Sequence, residues 1–309
     1  MSVARSVLLA ASTNAWLRER ATRSALVRRS VSRFMPGERL EDALEATRAE
    51  RAHGIATVLT RLGENVTTLG EAEQVTGHYL DALDRIGAAG LDAQVSIKLT
   101  QLGLDLEPAA CLANVDKLVE RASVRGNFIW IDMESSPYVD PTLSLFRRAR
   151  ERSPRVGVCL QAYLRRTAAD LEALLPLAPA IRIVKGAYLE PAAVAFPRKA
   201  DVDENFYRLC ARLMDADVVK RGVHLHIGTH DAALVDRLAA LADERRVPPS
   251  AYEFAMLYGI QRPLQLRLAK AGRGTRVLIS YGDYWFPWYM RRLAERPANV
   301  WFVVRSVFA

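Results

Sequence analysis

Short runs of β-branched and aromatic residues recur along the chain, and the segments between them show the three-to-four-residue hydrophobic spacing of amphipathic helices, as in Leu112, Val115, Leu118 and Val119. Eight such runs predict strands, and their starts are 24 to 43 residues apart: Ile55–Leu59, Val95–Thr100, Phe128–Met133, Val156–Tyr163, Ile181–Gly186, His224–His230, Tyr252–Leu257 and Arg276–Gly282. A strand–helix–strand unit needs roughly 30 residues. The pattern therefore predicts strands that alternate with helices.

Eight alternating units in about 250 residues favour a parallel α/β sheet that closes into a (β/α)₈ TIM-type barrel. An open doubly wound sheet is the alternative. It usually carries a Gly-rich phosphate-binding turn after the first strand, where this chain has Arg61-Leu62-Gly63-Glu64. Residues before about 50 lie outside the repeat. We predict an N-terminal helical extension over residues 1–50 and a barrel domain over residues 51–309.

Composition places the chain among folded proteins without a membrane span. Half of its 309 residues are hydrophobic and a quarter are charged, which excludes a disordered or fibrous chain. The longest stretch without Asp, Glu, Lys or Arg is Ser6–Leu17, shorter than the roughly 20 apolar residues of a membrane helix. The three cysteines are far apart and form neither a disulfide framework nor a zinc cluster. We expect a cytoplasmic protein.

The net charge of +8 is concentrated near the N-terminus, where seven arginines face the single acid Glu19 before residue 34: Arg5, Arg18, Arg20, Arg23, Arg28, Arg29 and Arg33. We favour a solvent-facing helix surface as the explanation. The alternative is peripheral contact with an anionic membrane, including the inner membrane. Nucleic acid is not an expected partner, because no aromatic residues alternate with these basic ones.

Polar residues lie at or near the ends of six consecutive predicted strands: Lys98, Asp132, Gln161, Lys185, His230 and Glu253. Catalytic groups gather at the C-terminal strand ends in this fold, so these residues predict a site. Lys98 and Asp132 either pair with each other or bind a ligand, with Lys98 facing an anion. After the fifth strand, Lys185-Gly186 puts a cation beside a flexible glycine, which suits a phosphate or a flat ring.

Histidines raise the question of a metal site. His224 and His226 share one strand face, and a His-x-His pair can bind a metal ion. A metal centre would need further histidines or carboxylates at the same level on other strands, so we predict none. His230, beside Thr229, is better placed to bind a ligand phosphate.

Two adjacent arginines, Arg291 and Arg292, follow the eighth strand. On a terminal helix such a pair is often only surface charge. Anion sites gather after the last strands of this fold, however, and arginine holds a carboxylate in a two-pronged grip. Their position therefore favours a role in binding.

Together these residues resemble the flavin-dependent proline dehydrogenase family, in its monofunctional bacterial form. The motifs that carry the resemblance are Ser96-Ile97-Lys98, Ile131-Asp132-Met133-Glu134, Cys159-Leu160-Gln161, Arg182 through Tyr188, Thr229-His230, Tyr252-Glu253-Phe254 with Met256-Leu257-Tyr258-Gly259, and Tyr289 through Glu295. The resemblance implies a distorted (β/α)₈ barrel that binds FAD noncovalently across the strand ends. It also implies oxidation of proline to 1-pyrroline-5-carboxylate, with electrons passed to a quinone.

The resemblance assigns roles in substrate binding. Arg291 and Arg292, helped by Lys98, would clamp the carboxylate of a small cyclic amino acid. Asp132 would hold Lys98 in place, and Glu295 would brace the helix that carries the arginines. The substrate's C–H bond would then point at the flavin.

For FAD, the resemblance implies binding by residues of strands four to six. Gln161 and Arg182 would lie near the isoalloxazine ring. The remaining contacts would come from Val184, Lys185, Gly186, Ala187, Thr229 and His230, with backbone groups meeting the ring and Lys185, Thr229 and His230 meeting the ribityl and phosphate groups.

One wall of the predicted ring pocket departs from the family. Tyr188 and Leu257 would shape the wall, but Leu278 stands where the family has a tyrosine over the substrate ring, and Ser280 replaces a proline. The hypothesis is an imino-acid dehydrogenase whose preferred ring is proline or a substituted analogue. Two alternatives remain: a Schiff-base lyase or aldolase that uses Lys98 or Lys185, and a non-catalytic flavin-binding homologue.

Overall fold

In a computed structural model, which describes residues 31–63, 66–286 and 289–290, eight parallel strands form a closed barrel in chain order. The strands are β1 (Ala56–Arg61), β2 (Ala93–Ile97), β3 (Ile129–Ile131), β4 (Val156–Gln161), β5 (Ala180–Val184), β6 (His224–Gly228), β7 (Tyr252–Leu257) and β8 (Thr275–Tyr281). β1 pairs with both β2 and β8, which closes the barrel. The predicted TIM-type barrel is confirmed, and each predicted strand overlaps an observed one.

Helices follow the strands and cover the outside of the barrel: α1 (Leu40–Arg51), α2 (Leu69–Ala88), α3 (Pro108–Val124), α4 (Val139–Arg152), α5 (Thr167–Leu174), α6 (Lys199–Leu213), α7 (Ala216–Lys220), α8 (Ala232–Glu244) and α9 (Arg262–Lys270). Local sequence sets their ends. At α2, the Thr68 hydroxyl accepts a hydrogen bond from the Glu71 amide, and the Glu71 carboxylate accepts one from the Thr68 amide. This reciprocal capping satisfies two backbone donors at the start of the helix.

Successive side chains along each strand point alternately out toward the helices and into the barrel. One set, such as Val95 and Ile97, joins the large hydrophobic core between strands and helices. The other set lines the barrel interior, where Val58, Trp130 and Ala180 form a separate small cluster. Strand register therefore decides which side chains share the interior.

Part of the predicted N-terminal extension lies within the described residues. α1 packs against β1 and β8, and its Thr47 hydroxyl lies 3.2 Å from the Thr57 hydroxyl. Just before α1, the Arg33 carbonyl passes so close to Gly259 that a Cβ there would lie 1.6 Å from its oxygen. The backbone of the extension at Arg33 thus packs directly against the β7–α9 loop. The boundary at residue 50 stays a prediction.

Residues 1–30, with six of the seven N-terminal arginines, lie outside the described residues. No helix in the described part of the chain is long and apolar enough to cross a membrane.

Candidate active site

Four predicted site residues lie where β2 to β5 end, on the face that alternation turns toward the barrel interior. Lys98 and Asp132 directly follow β2 and β3, while Gln161 and Val184 are the last residues of β4 and β5. Gln161 and Val184 are register partners. The C-terminal mouth of the barrel therefore collects a cation, a carboxylate and an amide within neighbouring strands.

Asp132 pairs with Arg182. Its Oδ1 lies 3.2 Å from Arg182 Nη1 and accepts a hydrogen bond of 2.8 Å from the Ser96 hydroxyl. The long Arg182 side chain, on the same inward face two strands away, reaches this carboxylate. Whether Lys98 also serves Asp132, as the sequence suggested, stays a prediction.

Arg182 is almost fully buried and rests on an aromatic ring. Its guanidinium carbon lies 4.6 Å from the Trp130 ring centre, and the Trp130 indole N–H donates to Gln94 Oε1 at 2.6 Å. The Arg182 Nε atom is buried and has no hydrogen-bond partner among the described residues. Since buried polar groups are normally paired, this donor is available to a ligand.

The Gln161 side chain uses only part of its hydrogen-bonding capacity. Its Nε2 donates to the Met133 carbonyl at 3.3 Å, while its Oε1 is buried without a partner in the described part of the chain. Two strand positions earlier, burial raises the pKa of Cys159 to about 12, so this residue stays a neutral thiol. Among the described residues, Arg182 thus offers an unpaired donor and Gln161 an unpaired acceptor, on adjacent strands.

Beyond β5 the backbone turns sharply against an aromatic ring. Gly186 has φ +115°, and a Cβ there would come within 2.3 Å of the Tyr163 ring. Only glycine fits both the conformation and the space. Ala187 is exposed and Tyr188 is half-buried on the loop that follows.

That loop is fastened to its neighbour by Glu190, whose carboxylate accepts hydrogen bonds from the Ser136 amide at 2.7 Å and hydroxyl at 2.5 Å. This clasp holds the segment that carries Tyr188 against the β3–α4 connection.

Lys185 is bound by two carboxylates. Its ammonium lies 2.5 Å from Asp203 Oδ1 and 3.0 Å from Asp231 Oδ2. Burial alone would raise the pKa of Asp231, but the hydrogen bond and charge of Lys185 outweigh it and lower the pKa below its ordinary value. The cation expected to meet a phosphate is thus already neutralised by its own chain.

Thr229 and His230 follow β6 and organise the next loop. The Thr229 hydroxyl accepts from the Asp231 amide at 3.2 Å. The His230 Nε2 accepts from the Leu257 amide at 2.8 Å, which assigns the ring proton to Nδ1. His230 therefore fixes the end of β7 at the same mouth.

Leu257 and Leu278 are register partners on β7 and β8, so the two predicted wall residues are neighbours. Leu278 packs against the interior cluster of Val58, Trp130 and Ala180. This side of the mouth is an apolar wall.

Glu253 does not belong to this mouth, which corrects the sequence interpretation. It is the second residue of β7, at the opposite end of the barrel, and both its oxygens accept from Arg276, at 2.6 and 3.1 Å. A polar residue near the start of a parallel strand faces the N-terminal mouth. Sequence reasoning also missed Trp130 beneath Arg182; its position two residues before Asp132 was the available signal.

Arg291, Arg292 and Glu295 lie outside the described residues.

The chain is similar to known proteins over most of its length. Residues 43–305 match the family described as Proline dehydrogenase. The chain is 38% identical over 282 residues to Proline dehydrogenase from Deinococcus radiodurans, covering 90% of this chain and 89% of the relative. It is 35% identical over 280 residues to Proline dehydrogenase 1 from Bacillus subtilis strain 168, covering 91% of each.

Among solved structures, proline utilization A from Bdellovibrio bacteriovorus superposes with a TM-score of 0.81 at 21% identity. The match covers 88% of this chain and 33% of that longer chain, so it supports the barrel fold alone. The match over most of both chains to the curated relatives confirms the resemblance to monofunctional bacterial members. The chain belongs to the proline dehydrogenase family of oxidoreductases.

Proposed function

We propose that the chain oxidises a cyclic imino acid, proline or a ring-substituted analogue, with FAD as its cofactor. The observation that carries the proposal is the pair of unpaired buried atoms, Arg182 Nε and Gln161 Oε1, at the C-terminal mouth. Leaving such atoms unsatisfied costs about 1–3 kcal/mol each, so the site is chemically incomplete without a ligand.

A flavin ring fits what these residues offer. It is flat and presents both ring acceptors and an imide N–H donor, which match the Arg182 donor and the Gln161 acceptor. Gly186 lets the backbone after β5 turn tightly against the Tyr163 ring. Val184, the last residue of β5, and Ala187, on the loop, lie on either side of this turn, and the Val184 carbonyl accepts a hydrogen bond from the Ala162 amide.

Lys185, Thr229 and His230 would hold the ribityl and phosphate groups, with Lys185 also tied to Asp203 and Asp231. The phosphates would then bind the same Lys185 ammonium that these two carboxylates already contact. We infer that Lys185 mainly fixes the loop and contributes hydrogen bonds rather than net charge.

The substrate carboxylate would be held by Arg291 and Arg292 with Lys98, and Glu295 would brace the arginines. Asp132 acts through Arg182, because it orients that guanidinium. Bound FAD supplies the hydride-accepting chemistry that turns the ring C–N bond into the imine. The protein supplies placement, charge and exclusion of water.

Leu278 is the basis for the proposed ring preference. Together with Leu257 it makes an apolar wall where the family has a phenol, and Tyr188 lies on the loop after β5. An apolar wall cannot hydrogen-bond a ring hydroxyl, so we propose proline or an apolar ring analogue ahead of a hydroxylated one.

Electrons would pass to a quinone, which connects the reaction to a membrane. Peripheral contact would then fall to the basic residues among 1–30. The proposed location is the cytoplasm, with this peripheral contact at the inner membrane.

The Schiff-base alternative is weakened by the environment of Lys185. A Schiff base needs the lysine Nζ atom free to attack a carbonyl, whereas Asp203 and Asp231 already hold this atom at 2.5 and 3.0 Å. Borohydride trapping with a carbonyl substrate separates this alternative from the proposal.

Steady-state reduction of an artificial electron acceptor tests the proposal. Purified protein with FAD is assayed with proline, 4-hydroxyproline and the six-membered ring homologue. We expect turnover with at least one and the lowest kcat/KM with the hydroxylated ring. No turnover on the whole panel by yellow protein would favour the non-catalytic homologue instead.

A further inference from the structure

The N-terminal mouth of the barrel holds a second polar cluster, next to the Trp130 ring on which Arg182 rests. His224, His226 and Glu253 each offer one ligand atom, and these atoms lie within 4.8 Å of one another. The two histidines share the inward face of β6, and strand register pairs His226 with Glu253 on β7. The register thus supplies the carboxylate at the same level that the sequence did not reveal.

The spacing fits a tetrahedral metal ion. With ligands about 2.0–2.1 Å from zinc, neighbouring ligand atoms are roughly 3.3 Å apart and the centres of two bound imidazoles roughly 5 Å apart. His226 Nε2 lies 3.3 Å from Glu253 Oε2, and the His224 and His226 ring centres are 5.1 Å apart.

Neighbouring groups already orient two of the three ligands. His224 Nδ1 lies 3.0 Å from the Ser250 carbonyl, so this nitrogen donates and Nε2 carries the lone pair. Arg276 holds both oxygens of Glu253. Hydrogen bonds of this kind to ligating histidines and carboxylates are typical of metal sites.

His226 provides the independent sign that something is bound. It is 1% exposed, and neither ring nitrogen has a hydrogen-bond partner among the described residues. Its Nε2 has only the 3.3 Å ionic contact with Glu253 Oε2, and a buried imidazole with no hydrogen bond at either nitrogen is rare. A metal ion would use one of these nitrogens.

The local charge tolerates a dication despite Arg276. Two carboxylates, Glu253 and Asp92, contact the single Arg276 guanidinium, so these three groups carry one net negative charge. Burial lowers the pKa of both His224 and His226, which keeps the imidazoles neutral and able to ligate. The other nearby cation, Arg182, is paired with Asp132.

We propose that His224, His226 and Glu253 bind a divalent transition-metal ion of the Zn²⁺ class, with water in the fourth position. Two imidazoles and one carboxylate suit such ions. Because this mouth lies opposite the catalytic end, the ion stabilises the pairing of β6 with β7 and takes no part in the oxidation. The proposal does not rest on the proposed function.

Titration of chelator-treated full-length protein with Zn²⁺ tests it, by isothermal calorimetry without substrate. We expect one equivalent to bind and the melting temperature to rise. The half-exposed His224 is the ligand to change: His224→Ala should weaken binding by at least about 100-fold. His53→Ala, at an exposed histidine outside the cluster, should bind as the wild type does.

Co²⁺ gives a second readout that does not depend on variants, because tetrahedral coordination produces an intense visible band. Absence of stoichiometric Zn²⁺ binding and of this band in the wild-type protein would overturn the proposal, as would unchanged binding by His224→Ala. Either result leaves the flavin assay unaffected, so the two proposals fail separately.

Discussion

The two mouths of the barrel are both polar, yet they differ in how much hydrogen-bonding capacity they leave unused. At the C-terminal mouth, Arg182 and Gln161 each keep one buried atom without a partner in the described part of the chain. At the N-terminal mouth, Arg276 is bonded to Glu253, Asp92 and the Thr57 carbonyl, while the His226 ring makes no hydrogen bond to any described residue. Polarity alone therefore does not mark a functional site; unsatisfied buried groups and their geometry do.

The largest effect is expected from Arg182→Lys. Lysine keeps a positive charge near Asp132 but removes the planar Nε–H donor. We expect turnover to fall by roughly 10²–10³-fold and FAD content to drop, since a donor aimed at the reacting group typically contributes that much. Arg150→Lys is the matched control, because Arg150 bonds backbone carbonyls such as Leu177 O outside the site. Equal losses of turnover and of FAD content in both variants would contradict a specific role for Arg182 in the site.

Gly186→Ala should be the next most damaging change. The positive φ costs about 1–2 kcal/mol for a residue with Cβ, and the clash with Tyr163 adds about 1–3 kcal/mol. Gly222 also has a positive φ, +85°, but no atom lies within 4 Å of the position that a Cβ would take. Gly222→Ala should therefore show the cost of the backbone strain without a clash. Urea unfolding of both variants measures the difference. Similar free energies of unfolding would contradict the close packing at Gly186.

Leu278→Tyr probes the apolar wall. Restoring the phenol fills space beside Leu257 and adds a hydroxyl, so we expect the ratio of kcat/KM between proline and larger ring analogues to rise about 10-fold. The measurement is a substrate panel assayed side by side for both proteins. An unchanged ratio would show that this wall does not contact the ring.

The smallest expected effect is the contribution of His226 to the pH dependence of the free energy of unfolding. Burial places its pKa well below the ordinary 6.5, so the unfolded chain binds a proton that the folded protein does not. The His226 contribution to stability is therefore complete above pH 6.5 and declines as the pH falls below it, by up to about 1.4 kcal/mol per pH unit.

His226→Gln removes the proton uptake of this residue on unfolding, so the free energy of unfolding should fall less steeply with falling pH than in the wild type. Urea unfolding at several pH values in metal-free buffer measures this slope. An identical slope in both proteins would show that His226 is not buried in its neutral form.

Periodicity was enough to predict the barrel, because eight apolar runs of strand length leave few other closed arrangements. It also placed Lys98 and Asp132 at the ends of two neighbouring strands, where catalytic groups gather in this fold. It could not show which cation reaches Asp132, since that depends on register and side-chain length across β2 to β5. The misplacement of Glu253 has a simpler cause: distance from the start of a strand decides the mouth, and that signal was present in the sequence.

The central claim, that the incomplete mouth is a flavin site for imino-acid oxidation, is tested most directly by the visible spectrum of the purified protein under anaerobic conditions. We expect a yellow protein whose flavin band bleaches when proline or a ring analogue is added. A colourless protein that takes up no added FAD, or a flavin band that no cyclic amino acid bleaches, would contradict the account.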